Sequence, residues 1–188
     1  MSMQQDRLAV PRRMRTLERD ARNYPIPFIV LRDRLGTPQF TINDFERVTL
    51  CIRKKLCGIC GKRFDNGMWF VGGARCFTHE HGAFVDPPMH NECAEYALRI
   101  CPFLAAPNYA KRIDTRRLKP GALDPGMAIA TLQHMPAAQP ERFGLGCTDR
   151  YDLHEQPGGG RIFVVARWQY VEWWRNGVTV PAPAREPG

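Results

Sequence analysis

A chain of 188 residues holds one substantial hydrophobic core, or one core with a small satellite, and its apolar and charged fractions (44% and 24%) exclude a disordered polymer. The formal charge of +8 favours a polyanionic partner such as nucleic acid. Yet of 27 basic residues only five are Lys (Lys54, Lys55, Lys62, Lys111, Lys119), and a genome rich in Arg, Ala, Pro and Gly codons would produce the same scattered Arg excess.

No apolar run approaches the ~20 residues of a membrane span, and the first residues lack the apolar stretch of a secretory signal. A cytoplasmic protein with no membrane partner is expected. In that reducing setting, Cys pairs two residues apart point to metal ligands before disulfides.

Residues 1–23 carry six Arg and little apolar periodicity, the pattern of a mobile basic arm. Residues 24–105 are expected to form a hairpin, a helix and a zinc-finger core. "IPFIVLRDRLGTPQFTI" has two β-prone runs about a turn at Asp33–Gly36. "NDFERVTLCIRKKL" places Phe45, Val48, Ile52 and Leu56 on one helical face. Asn43 is the expected N-cap, with Glu46 in the capping-box position, while Arg53, Lys54 and Lys55 complement the negative end of the helix dipole.

That helix leads directly into "LCGICGKRF". Cys57 and Cys60 flank a glycine-containing turn able to bring two sulfurs together, with Gly58 and Gly61 permitting its tight backbone. About thirty residues later "DPPMHNECAEYA" offers His90 and Cys93. With Asp86 as N-cap and Pro87 in the first turn, the expected helix spans Met89–Ile100 and projects both side chains from its start. Four such ligands are the requirement of one structural Zn2+. Between the pairs, glycine-split aromatic runs suit one or more short hairpins.

Knuckle, hairpin and ligand-bearing helix together resemble the treble-clef zinc finger over residues 56–104, and the predicted fold class is accordingly α+β, with this finger embedded in a small domain. The chain also resembles a group of small zinc-binding proteins of bacteria and their phages, through the knuckle pair, "PPMHNECAEYA" and the following "CPFL" (Cys101–Leu104). That resemblance implies a zinc protein of a mobile element and brings no activity with it.

Other sulfur and imidazole groups are weighed beside these. Cys76, His79 and His81 in "CFTHEH" suggest a second metal site or a catalytic base, or Cys76 as a replacement ligand of the first site; exposed hairpin histidines are the plainer explanation. Cys51, Cys101 and Cys147 fit buried thiols acting as small hydrophobes.

Residues 106–141 form a Pro-rich basic linker. Its Lys111, Arg112, Arg116, Arg117 and Lys119 are the densest basic stretch and a candidate phosphate-contacting loop. Residues 142–180 are expected to be β-rich and to pack on the core, with Arg161–Ala166 a strand. "RWQYVEWWRNG" fits a short helix closed by Asn176–Gly177, an alternating strand being the competing assignment. Trp168, Trp173 and Trp174 suit either a core or a base-stacking platform, with core favoured. Residues 181–188 resemble a disordered tail.

Catalysis finds little support in these motifs. A treble-clef nuclease would use "THEH" as base and Glu92 or Glu95 as a metal ligand, but structural ligands already occupy the helix start. A deaminase needs an H-x-E before its Cys pair, which is missing. "PGGGR" at 157–161 lacks the Lys–Ser/Thr of a phosphate loop, and no small-molecule cofactor is expected. The sequence thus predicts a non-catalytic zinc-stabilised protein contacting nucleic acid through Arg and Lys, or alternatively docking on a host protein.

Overall fold

The computed structural model describes residues 8–33, 35–78, 82–106, 139–155 and 160–183. After a 3-10 turn at Arg12–Met14, the elements run β1 (Val30–Arg32), β2 (Pro38–Asn43), α1 (Phe45–Lys54), β3 (Met68–Gly73), α2 (Arg75–Thr78), β4 (Ala83–Phe84), α3 (Asn91–Ile100) and α4 (Pro102–Ala105). They continue as β5 (Phe143–Thr148), β6 (Asp152–Glu155), β7 (Arg161–Val164), β8 (Tyr170–Arg175) and β9 (Val178–Val180). Among the described residues this is a mixed fold of few short helices and three antiparallel sheets, in the orders β1-β2, β3-β5-β8-β9 and β4-β7-β6.

The four-stranded sheet divides the interior. Along β3 the side chains alternate: Trp69 and Val71 turn to one face, where they meet Phe143, Leu145, Trp174 and the α3 residues Ala94, Tyr96 and Leu98. Phe70 turns to the other and meets Phe84, Phe163, Tyr151 and Trp168. Because both faces are covered, every residue of β5 is buried. Its "FGLGCT" sequence has glycine on the second face, where a Cβ on Gly144 would lie 2.5 Å from the Phe77 ring and one on Gly146 2.5 Å from Trp168. The glycines make the slot in which two aromatic rings stack, 4.7 Å apart at their centroids.

Several local expectations change. Asp44 caps α1, accepting from the Arg47 N–H at 3.0 Å, whereas Asn43 ends β2 and its amide donates to Asp86 at 2.6 Å. Val48, Ile52 and Leu56 pack into the second cluster with Cys51, but Phe45 is 40% exposed beneath the Arg161 guanidinium. Part of the segment expected as an arm is folded against the core: Met14 is buried beside the Cys ligands and Tyr96.

"RWQYVEWWRNG" is a strand, not a helix. Arg175 pairs with Val178 around Asn176 (φ 51°) and Gly177 (φ 77°), so Asn-Gly forms a two-residue hairpin turn instead of a helix cap. Trp173 and Trp174 point to opposite faces and are both buried because this strand, like β5, has a core on each side. No helix among the described residues is long and apolar enough to cross a membrane.

Candidate metal centre

The knuckle is a closed turn. The Cys57 N–H donates to the Lys62 carbonyl at 2.9 Å and the Gly61 N–H to the Cys57 carbonyl at 2.9 Å. Gly61 sits at φ 69° with the Phe28 ring 2.9 Å from where a Cβ would stand, so both backbone and space require glycine. The turn is clamped from two sides: Phe28 and Ile29 N–H groups donate to Ile59 and Gly58 carbonyls, and Gly58 N–H donates to Pro88.

Pro88 belongs to the segment that delivers the second pair. Met89 exchanges both backbone hydrogen bonds with Trp69 of β3, at 2.8 and 3.0 Å, and the next residue turns into α3. The helix therefore starts later than its sequence suggests: His90 is the N-cap, and Asn91 the first helical residue. His90 keeps extended backbone (φ −71°, ψ 152°), which frees its ring to face the knuckle, while Cys93 rises from the first turn.

The result brings Cys57, Cys60, His90 and Cys93 together with their ligand atoms all within 4.8 Å of one another. The Cys60 Sγ and His90 Nδ1 are 3.3 Å apart, against about 3.5 Å for sulfur and nitrogen on one tetrahedral zinc ion. All four residues are buried, Cys57 and Cys93 completely, and the cysteines are free thiols. Three thiolates and an imidazole at these separations fit one four-coordinate metal ion.

The surroundings orient these ligands. His90 Nε2 lies 3.0 Å from the Arg63 carbonyl; donation there places the free lone pair on Nδ1, toward the sulfurs. The Phe64 ring packs on the imidazole at 5.1 Å. Arg13, from the N-terminal turn, reaches across the site to pair with Asp65 and, at 2.6 Å, with Glu92.

The thiols are electrostatically unequal. Burial opposes ionisation of Cys57, but hydrogen bonds from the Cys60 and Cys93 thiols and the Cys60 and His90 N–H groups outweigh it and bring its pKa down to about 3. Cys93 is pushed the other way, by its hydrogen bonds to Cys57 and Cys60 and then by burial, because a second thiolate there would face the first without compensation. A divalent cation removes that conflict.

Among the described residues, this is the one group of three or more Cys, His, Asp and Glu with metal-binding spacing. Cys76 lies on α2 against the second cluster, its thiol held neutral by burial. His79 and His81 lie outside the described residues, as do Lys111, Arg112, Arg116, Arg117 and Lys119. Glu92 and Glu95, weighed as nuclease ligands, are engaged with Arg13 and with Asn91 and Arg99. β3 and β4, the strands between the ligand pairs, belong to different sheets instead of pairing as one hairpin. The bracing by Arg13 and the Arg63 carbonyl has no signature in the sequence, since one is a lone Arg among six and the other a backbone oxygen. Comparison of the chain with family models, curated proteins and solved structures finds no match.

Proposed function

We propose that the protein is a non-catalytic, zinc-stabilised binding protein whose partner is nucleic acid. The observation carrying this reading is the donor set: four buried Cys and His residues, their ligand atoms within 4.8 Å of one another, would fill a tetrahedral ion and leave no open position for substrate, as in a structural zinc site. Zinc here supplies folding energy, on the order of 10 kcal/mol, and ties the knuckle to α3. The finger is a treble-clef variant with its hairpin opened, β3 having been recruited by the larger sheet. The net charge of +8 supports a phosphate-rich partner, and the resemblance to small zinc proteins of bacteria and phages supports a mobile-element setting.

A second reading, docking on a host protein, is favoured by a specific surface. Tyr24, Leu35 and Phe40 are exposed on and beside the β1–β2 hairpin, with Arg22 stacked over both Tyr24 and Phe40. Such Tyr and Arg-rich apolar patches are typical protein contacts. Elemental analysis of native protein, run beside mobility-shift titrations with DNA and RNA at two salt concentrations, separates the readings. One zinc per chain with salt-sensitive retardation supports nucleic acid; one zinc without retardation turns the assignment to a protein partner.

A further inference from the structure

We infer that the outer face of the zinc knuckle is a contact surface for the phosphate backbone of nucleic acid, formed by Arg53, Lys54, Lys55, Lys62 and Arg63. This rests on the nucleic-acid reading above and assigns it a place distinct from the basic stretch at 111–119.

Three of the five lysines in the chain lie in this one ribbon. The backbone brings them together: Leu56 bridges Arg63, Cys57 N–H donates to Lys62, and Phe64 N–H donates to Lys55, so the last turn of α1 lies alongside residues 62–63. All five side chains are exposed. None has an ion-pair partner among the described residues, whereas Arg13, Arg22, Arg32, Arg47, Arg99, Arg142, Arg161 and Arg175 are each paired with a carboxylate. The nearest acid along the ribbon, Asp65, is neutralised by Arg13.

Elsewhere on the described surface unpaired cations remain at Arg12, Arg15, Arg19, Arg75, Arg150 and Arg167, but the knuckle gathers five of them on one backbone-linked ribbon. An unmatched cluster of five cations is costly through self-repulsion and is relieved by a polyanion, through phosphate contacts that release condensed counterions. The patch is also pre-formed. Lys55 holds the left-handed conformation (φ 52°) that ends α1, and the Arg63 carbonyl is fixed by the His90 ring, so metal coordination and the cationic ribbon share one rigid turn.

The test uses fluorescence anisotropy of labelled DNA and RNA, duplex and single-stranded, with the full chain in its zinc-loaded form. If all five cations meet phosphates, wild-type affinity for duplex falls about 500-fold between 50 and 200 mM salt. The triple variant Lys54→Gln, Lys62→Gln, Arg63→Gln leaves the helix-ending Lys55 in place. It is expected to retain its zinc, to bind at least about tenfold more weakly, and to lose about 2.7 from the salt slope. Equal affinity and slope in wild type and this triple, with loss instead in Arg112→Gln, Arg116→Gln, Arg117→Gln, would overturn the knuckle assignment and leave the nucleic-acid reading standing. A wild type that binds no DNA or RNA overturns both. Tighter partition onto phosphatidylcholine vesicles containing phosphatidylserine than onto nucleic acid at the same salt overturns the inference in favour of lipid headgroups.

Discussion

Cys57 and Cys93 sit at the centre of the ligand set and are both fully buried, so neither can be lost quietly. Cys57→Ser or Cys93→Ser is expected to give metal-free, largely insoluble protein, read from zinc content and soluble yield, whereas Cys76→Ser should keep a full equivalent of zinc. A fully loaded, soluble Cys93→Ser protein would remove that residue from the site. The inequality of the thiols adds a pH dependence. Cys57, with its pKa brought down to about 3, has no proton to surrender near neutrality, while Cys93, whose pKa is raised, must release one when the metal binds. Proton release on binding means that affinity rises with pH. Zinc titration calorimetry in buffers of different ionisation enthalpy should therefore show a proton leaving the metal-free protein, and the apparent affinity should drop on acidification. The gathering of Cys57, Cys60, His90 and Cys93 was legible in the sequence, because C-x-x-C on a glycine turn and H-x-x-C at a helix start each have a physical reason for their spacing. The exact helix start was not: Pro87 suggested an N-terminus there, but the Met89–Trp69 backbone pairing holds the chain extended until His90.

β5 illustrates how a strand whose hydrophobic pattern is interrupted by glycine can still be buried along its whole length. Its "FGLGCT" has glycine where a two-faced strand usually carries Val or Ile, and those glycines are needed by Phe77 and Trp168, which come from other segments. Substituting Gly146→Val would drive a side chain into the Trp168 ring, and a destabilisation of about 2–3 kcal/mol is expected in chemical denaturation, with zinc still bound. A stability unchanged within error would show that the slot relaxes freely. The same two-sidedness misleads a periodic reading of β8. Consecutive buried residues, Trp173 and Trp174, break the alternation that marks a half-exposed strand, and helical spacing then accounts for them equally well. The turn carries the decisive signal, since Asn-Gly between strand-forming residues favours a hairpin. Gly177→Ala, at φ 77°, is expected to cost about 1–2 kcal/mol and to loosen β9 from β8.

At the scale of the molecule, the metal site and the first core cluster are a single body: Met14 from the N-terminal segment, the knuckle, α3, and the sheet residues Phe143, Leu145 and Trp174 all meet there. Stripping zinc with a strong chelator should consequently abolish cooperative unfolding of the whole described fold, not merely loosen the knuckle; a retained cooperative transition by near-ultraviolet circular dichroism would show that the sheets stand alone. Sequence spacing pointed to the Cys57, Cys60, His90 and Cys93 cluster because each pair sits on a local turn, but not to the four-stranded sheet, because β3 pairs with a strand whose partners are set only by the complete tertiary arrangement. That pairing has a consequence for how the chain comes off the ribosome. Every residue of β3 from Met68 to Gly73 finds its partner between Phe143 and Thr148. Cys57, Cys60, His90 and Cys93 are thus all synthesised while β3 still presents an open edge carrying Trp69 and Phe70. Zinc loading during synthesis would fix the opposite edge of β3 through the Met89 bridge, leaving only the edge that awaits β5 open to a neighbouring nascent chain.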